Sequence, residues 1–151
     1  MPNWCYNRIT IYGDSETEAK LKEIEEIFEK ADPFNQIFPI PDFKNIPDEK
    51  GELPKLEQKL NPDGSVFYET YNFSDGTNDD RWYHWCVENW GTKWDVSELD
   101  IEYVDDEILE LTFSTAWSPP EGVIEKLKEK YPDLSFSCFY DEPGMEIAGY
   151  Y

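Results

Sequence analysis

The stretch VSELDIEYVDDEILELTFSTA, residues 96–116, decides the fold. Leu99, Ile101 and Tyr103 alternate with Glu98, Asp100 and Glu102, the period of a strand with one face buried. Leu109, Leu111 and Phe113 repeat the pattern a few residues later. Paired residues of an antiparallel ladder point to the same face. Leu99, Ile101 and Tyr103 are therefore expected opposite Phe113, Leu111 and Leu109, with Asp105-Asp106-Glu107 as a three-residue turn. This register sets Glu102 against Glu110, and directly opposed like charges destabilise a sheet by about 0.2–1 kcal/mol.

Outward from this hairpin, the other elements fall into order. WCYNRITIY (4–12) reads as a first strand, rich in β-branched and aromatic residues. Ser15 and Glu18 are spaced as a capping box, opening a helix to about Ala31 with Leu21, Ile24, Ile27 and Phe28 as its apolar stripe. After the hairpin, Ser118 and Glu121 repeat the box. Val123, Ile124, Leu127 and Tyr131 then give a second helix its buried face. LSFSCFY (134–140), a turn at Glu142-Pro143-Gly144 and a short strand to Tyr151 follow. Strand-helix-strand-strand-helix-strand is the split βαβ order. The expected fold is α+β, a ferredoxin-like antiparallel sheet with two helices on one face.

Residues 32–95 interrupt that order. Six of the eleven prolines lie between residues 33 and 62, so irregular chain is expected there, ending in the turn NPDG (61–64). SVFYETYNF (65–73) reads as a strand or ordered loop. A helix is expected from Asp79 or Asp80 to Gly91, carrying four tryptophans in and just after it. The whole chain is expected to form one domain, with this insertion packed on the uncovered sheet face or at the sheet's end.

With 34 acidic and 13 basic residues, the net charge of −21 opposes phosphate backbones and anionic membranes, and it favours a basic partner. Aromatic residues make up 17% of the chain, enough to build a core despite a mean hydropathy of −0.74. Three cysteines without a CxxC pair suit a reducing cytosol, and neither a hydrophobic signal core nor a membrane-spanning stretch is visible. One histidine, scattered cysteines and no phosphate-binding glycine loop nominate no cofactor, no metal site and no catalytic mechanism.

The blocks NWCYN, NWGTKWD, FSTAWSPP, YPDLSF and EPGMEIAGYY (residues 3–7, 89–95, 113–120, 131–136 and 142–151) resemble the YubB ferredoxin-like proteins of phages, prophages and plasmids. The resemblance implies a ferredoxin-like core in a mobile-element protein resident in a bacterial cytosol. It implies no activity, and residues 32–78 lie outside it.

Two candidate surfaces follow. Glu98, Asp100 and Glu102 are spaced at roughly 6.5–7 Å along one strand, near the contour spacing of phosphates on a DNA strand. With Asp105, Asp106 and Glu110 they form a candidate acidic decoy for a host nucleic-acid-binding or defence protein. The plainer reading is a charged edge that prevents aggregation. The alternative is a small-ligand or peptide site on Trp4, Asn89, Trp90, Lys93 and Trp94, set against the expectation that these aromatics mainly build the core.

Overall fold

The computed structural model describes residues 2–151, which divide into two compact units. The first comprises the residues up to Pro39 together with Cys86–Tyr151, and the second is Ile40–Trp85.

The first unit holds a five-stranded antiparallel sheet. Its strands are β1 (Trp4–Tyr12), β4 (Ser97–Asp105), β5 (Ile108–Ala116), β6 (Ser135–Glu142) and β7 (Ile147–Tyr150), in the order β4-β5-β1-β6-β7. Helices α1 (Glu18–Glu29) and α4 (Glu121–Lys130) cover one face, as the ferredoxin-like order requires. Alternation places Cys5, Asn7, Ile9 and Ile11 of β1 under the helices, and all four are buried. Leu109, Leu111 and Phe113 of β5 meet Leu21, Ile24 and Phe28 of α1 and Val123, Ile124 and Leu127 of α4 in the same core.

Helix α2 (Pro33–Ile37) also belongs to this core. Phe34 sets its ring edge-on to Phe113 and to Trp90, at 5.7 Å each, and Phe28 stacks on Phe113 at 6.2 Å. Since Phe113 points to the helix side, these aromatics thicken the covered face. The expectation that the insertion would lie on the uncovered face or at the sheet's end is corrected for this segment.

The reason lies sixty residues away. Asp95 accepts the N–H groups of Phe34 (3.0 Å), Asn35 (3.1 Å) and Val96 (2.8 Å), so a distant carboxylate caps α2 where Pro33 offers no donor. Burial pushes this carboxyl above its ordinary range, and the three N–H groups pull it back. Asp95→Ala is expected to cost about 2 kcal/mol, since it orphans buried donors as well as uncapping a helix. Chemical denaturation measures that cost, and an unchanged midpoint would show that α2 holds its place without the cap.

The two capping boxes do not form. Helix α1 starts after Thr17 with no side-chain cap, and the Asp14 carboxylate instead accepts from Glu16 N and Thr17 Oγ1. Ser118 Oγ donates to Gly91 O, which ties the entry of α4 to the end of helix α3 (Arg81–Asn89). Gly91 closes α3 with φ +90°, as its position just past the helix suggests.

The second unit contains irregular chain, one 3-10 turn (Phe43–Asn45) and a two-stranded ribbon of β2 (Lys55–Leu60) and β3 (Val66–Asn72) joined through NPDG. Arg81 organises it. Its guanidinium forks onto Asp79 (Nε–Oδ1 2.8 Å, Nη2–Oδ2 2.9 Å) and donates to Phe43 O at 2.8 Å. It also lies over the rings of Phe43 (5.1 Å) and Phe73 (5.6 Å).

Candidate functional site

The sheet face away from the helices is built from the alternate residues. Three cross-strand rows define it: Glu102, Glu110, Thr10 and Ser137; then Asp100, Thr112, Arg8, Phe139 and Tyr150; then Ser97, Ser114, Tyr6, Asp141 and Ala148. Tyr6, Tyr12 and Tyr150 are 50%, 44% and 70% exposed, a density of bare aromatic surface that a core-building role does not need. The Arg8 guanidinium lies 5.2 Å from the Phe139 ring centroid, in a shallow depression that Tyr6, Glu98, Thr112, Ser114 and Asp141 also line. The face is therefore graded, with carboxylates along β4 and β5 and aromatic rings towards β6 and β7.

The six acidic residues singled out from the sequence are not all on this face. The pairs Ile101 with Leu111, Tyr103 with Leu109 and Glu102 with Glu110 form as expected, and Asp100, Glu102 and Glu110 share the open face. Two irregularities displace Glu98 and Asp105 along this face without taking them off it, Asp105 pairing with Ile108 in the row of Tyr12. Between Ser97 and Asp100 the register shifts, and Glu98 adopts φ +52° inside this bulge. Glu98 thereby leaves the even ladder and borders the Arg8 depression. A second shift, between Tyr103 and Asp105, puts Val104 out of register and shortens the expected three-residue turn to Asp106-Glu107. Asp105 is spent locally, accepting from Glu107 N at 2.8 Å. Asp106 turns to the helix side, where it borders a hollow with Glu18, Lys22, Glu25 and Tyr103.

The tryptophan constellation also divides. Trp90 is 2% exposed and donates its indole N–H to Phe38 O at 2.8 Å, so its ring is core. Trp94 remains 41% exposed, with Trp4 at 6.3 Å and the Lys93 ammonium 4.2 Å from its own ring. Asn89 ends α3, and its carbonyl is pressed against Gly122 of α4. Only Cys86 of α3 itself is buried, while Trp82, Tyr83 and Val87 are about two-fifths exposed. Cys86 and Trp90, four apart, make the single inward edge of a surface helix.

Nucleophilic chemistry finds no support in the thiols. Burial pushes Cys5 and Cys86 up to about 11 and raises Cys138, so all three are protonated at neutral pH. The lone histidine, His84, is exposed and faces Asp80 at 3.4 Å. Among the described residues, no group of three His, Cys, Asp or Glu is arranged to hold a metal ion, and no helix is long and apolar enough to cross a membrane.

Three of the sequence blocks quoted above, NWCYN, FSTAWSPP and EPGMEIAGYY, meet in space. Tyr151 donates its hydroxyl to Asn7 Oδ1 (3.0 Å), and Asn7 Nδ2 donates to Thr115 Oγ1 (2.9 Å). Thr115 Oγ1 in turn donates to Ser118 O at 2.7 Å. Their polar residues thus lock β1, β5 and the chain after β7 together under the sheet.

Comparison with known proteins agrees with this architecture. The crystal structure of a protein api92 from Yersinia pseudotuberculosis is similar over 99% of this chain and 93% of that one, with a TM-score of 0.56 and 12% identity, a likeness of fold. No curated protein matches the chain. Residues 89–151, which carry β4 to β7 and α4, match the family model described as the ferredoxin-like domain in Api92-like protein.

Proposed function

We propose that the protein is a non-enzymatic binding protein whose open sheet face takes a basic protein partner. The observation that carries this reading is the opposition of Glu102 and Glu110, with Asp100 two residues along on the same face. Among the described residues none of the three forms an ion pair. Opposed carboxylates cost the isolated sheet stability, and a cationic partner relieves that cost on binding. The net charge of −21 adds long-range attraction for the same class of partner and repels phosphate. The resemblance to mobile-element proteins narrows the proposal to a host nucleic-acid-binding or defence protein in the bacterial cytosol, whose basic groove the carboxylates would occupy.

The test compares retention of basic proteins from bacterial lysate by three forms of the chain. One is the wild type, one carries Asp100→Lys, Glu102→Lys and Glu110→Lys, and one carries Glu16→Lys, Glu26→Lys and Glu125→Lys, at exposed positions away from the open face. All reversals change net charge equally, and the first set keeps positions 102 and 110 like-charged, so the sheet suffers no new kind of repulsion. A partner of this face is expected to lose about tenfold or more in affinity with the first set, to tolerate the second, and to elute as salt rises. Equal loss in both variants would reduce the interaction to bulk charge and sink the reading.

A further inference from the structure

In the second unit, β2 is exposed at every position and, among the described residues, pairs with β3 alone, so its outer row of N–H and C=O groups faces solvent. A two-stranded ribbon is marginal by itself. This one also bares Leu56 (45% exposed), Leu60 (59%), Val66 (50%) and Phe67 (68%). It is nearly neutral as well: residues 53–72 hold two lysines and three acids within a chain of net charge −21. The three charged side chains of the edge, Lys55, Glu57 and Lys59, are of mixed sign, so they leave it open to a second copy of itself.

The order of residues in β2, KLEQKL, matches itself. Two such strands laid antiparallel about Gln58 put Leu56 opposite the partner's Leu60, and Glu57 opposite the partner's Lys59, each pair occurring twice by symmetry. Lys55, Glu57 and Lys59 share one face of the strand and Leu56, Gln58 and Leu60 the other, so charged pairs and leucine pairs do not mix. Moving the centre by one residue opposes like charges, either Glu57 with its own copy and Lys55 with Lys59, or Lys59 with its own copy. The bulge of the ribbon falls in β3, where Phe67 is the extra residue between the partners of Lys59 and Leu60, and β2 stays regular. Glu57 is already steadied by Asn72, which donates to its Oε2 at 2.9 Å.

We infer that β2 is the pairing edge of a symmetric dimer, in which two copies of the chain join their ribbons into one four-stranded antiparallel sheet centred on Gln58. The interaction is an isologous strand addition. A six-residue edge buries less than the roughly 1,200 Å² of a stable interface, so the dimer forms reversibly with concentration. Salt acts on it in the direction opposite to its effect on a basic partner. Screening reduces the repulsion between two strongly acidic copies, and moderate salt therefore favours the dimer.

Sedimentation velocity of the full chain from micromolar to millimolar concentration, at low and moderate salt, tests the inference. The wild type is expected to pass from monomer to dimer. Glu57→Lys and Lys59→Glu each turn both charged pairs repulsive and are expected to weaken the dimer about tenfold or more. An equimolar mixture of these two variants restores both pairs across a heterodimer, and the double variant Glu57→Lys/Lys59→Glu restores them in a homodimer. Both are expected to regain wild-type association, which a merely destabilised ribbon would not do. A wild type that stays monomeric throughout would overturn the inference. So would single variants that dimerise undiminished, or a mixture that associates no better than its components.

Discussion

Gly122→Ala is expected to lower the thermal midpoint of the first unit by about 10 °C, or roughly 3 kcal/mol at about 3 °C per kcal/mol for a chain of this size. The added methyl would stand 1.7 Å from Asn89 O and 2.8 Å from Asn89 C, both backbone atoms, so no side-chain rotation relieves it. Nor can the segments part cheaply, because Gly122 N donates to Trp90 O at 3.1 Å and Ser118 Oγ holds Gly91 O beside it. If α4 retreats, Val123, Ile124 and Leu127 leave their places over the sheet. If α3 retreats, Trp90 pulls away from Phe34 and the ring stack opens. Gly64→Ala is the control. Its φ of +88° makes alanine strained, yet nothing lies within 4 Å of the added atom, and only about 1 kcal/mol is at stake. Similar shifts in the two variants, read by circular dichroism, would mean that the close approach of α3 to α4 is not rigid.

The elements that were legible in the sequence are those whose partners lie near in the chain or whose period is unambiguous. Leu109, Leu111 and Phe113 declare a half-buried strand, and their pairing with Ile101 and Tyr103 follows from parity alone. What parity cannot show is an extra residue. The shifts beside Glu98 and at Val104 keep the strand and change which side chains it presents. Capping failed for a related reason. Ser15 and Ser118 have the right spacing, but a cap is decided by competing partners, and Ser118 finds Gly91 O while α2 is capped by Asp95 from sixty residues away. The ribbon was half hidden, because KLEQKL carries little strand propensity and prolines surround it. Its signal was NPDG between two stretches of similar length.

The candidate site shows the same division. Asp100, Glu102 and Glu110 lie together because register places them so. Asp106 departs because a tight turn aims its side chains by local geometry. The aromatic half of the face is written in β1: in WCYNRITIY the residues Tyr6, Arg8, Thr10 and Tyr12 alternate with the buried Cys5, Asn7, Ile9 and Ile11. Two aromatics and an arginine on the outward side of the central strand are the sequence sign of a face not meant for water alone.

Arg81→Ala is expected to unfold the second unit at neutral pH while leaving the first unit's sheet intact. The Asp79–Arg81 pair is largely removed from solvent, with side-chain exposures of 5% and 24%, and taking away one partner of such a pair costs about 3–5 kcal/mol. The truncation also strips a donor from Phe43 O and the cation from between Phe43 and Phe73. A unit built on a lone two-stranded ribbon holds little stability in reserve. Hydrogen exchange should therefore show β2 and β3 losing protection while β1, β5 and β6 keep theirs. Arg81→Lys keeps the charge but not the fork and is expected to fall between the two. Acid should imitate the truncation. Hydrogen bonds from Arg81 hold the Asp79 carboxyl below its ordinary value, so its contribution is complete above the unfolded-state pKa of about 4 and is lost as pH falls through the lower folded-state value. The wild-type ribbon should accordingly lose protection in acid, and the Arg81→Ala ribbon, with no pair left to titrate, should show little further change. Equal acid sensitivity in the two proteins would assign that loss to other carboxylates and remove Arg81 from the centre of the unit.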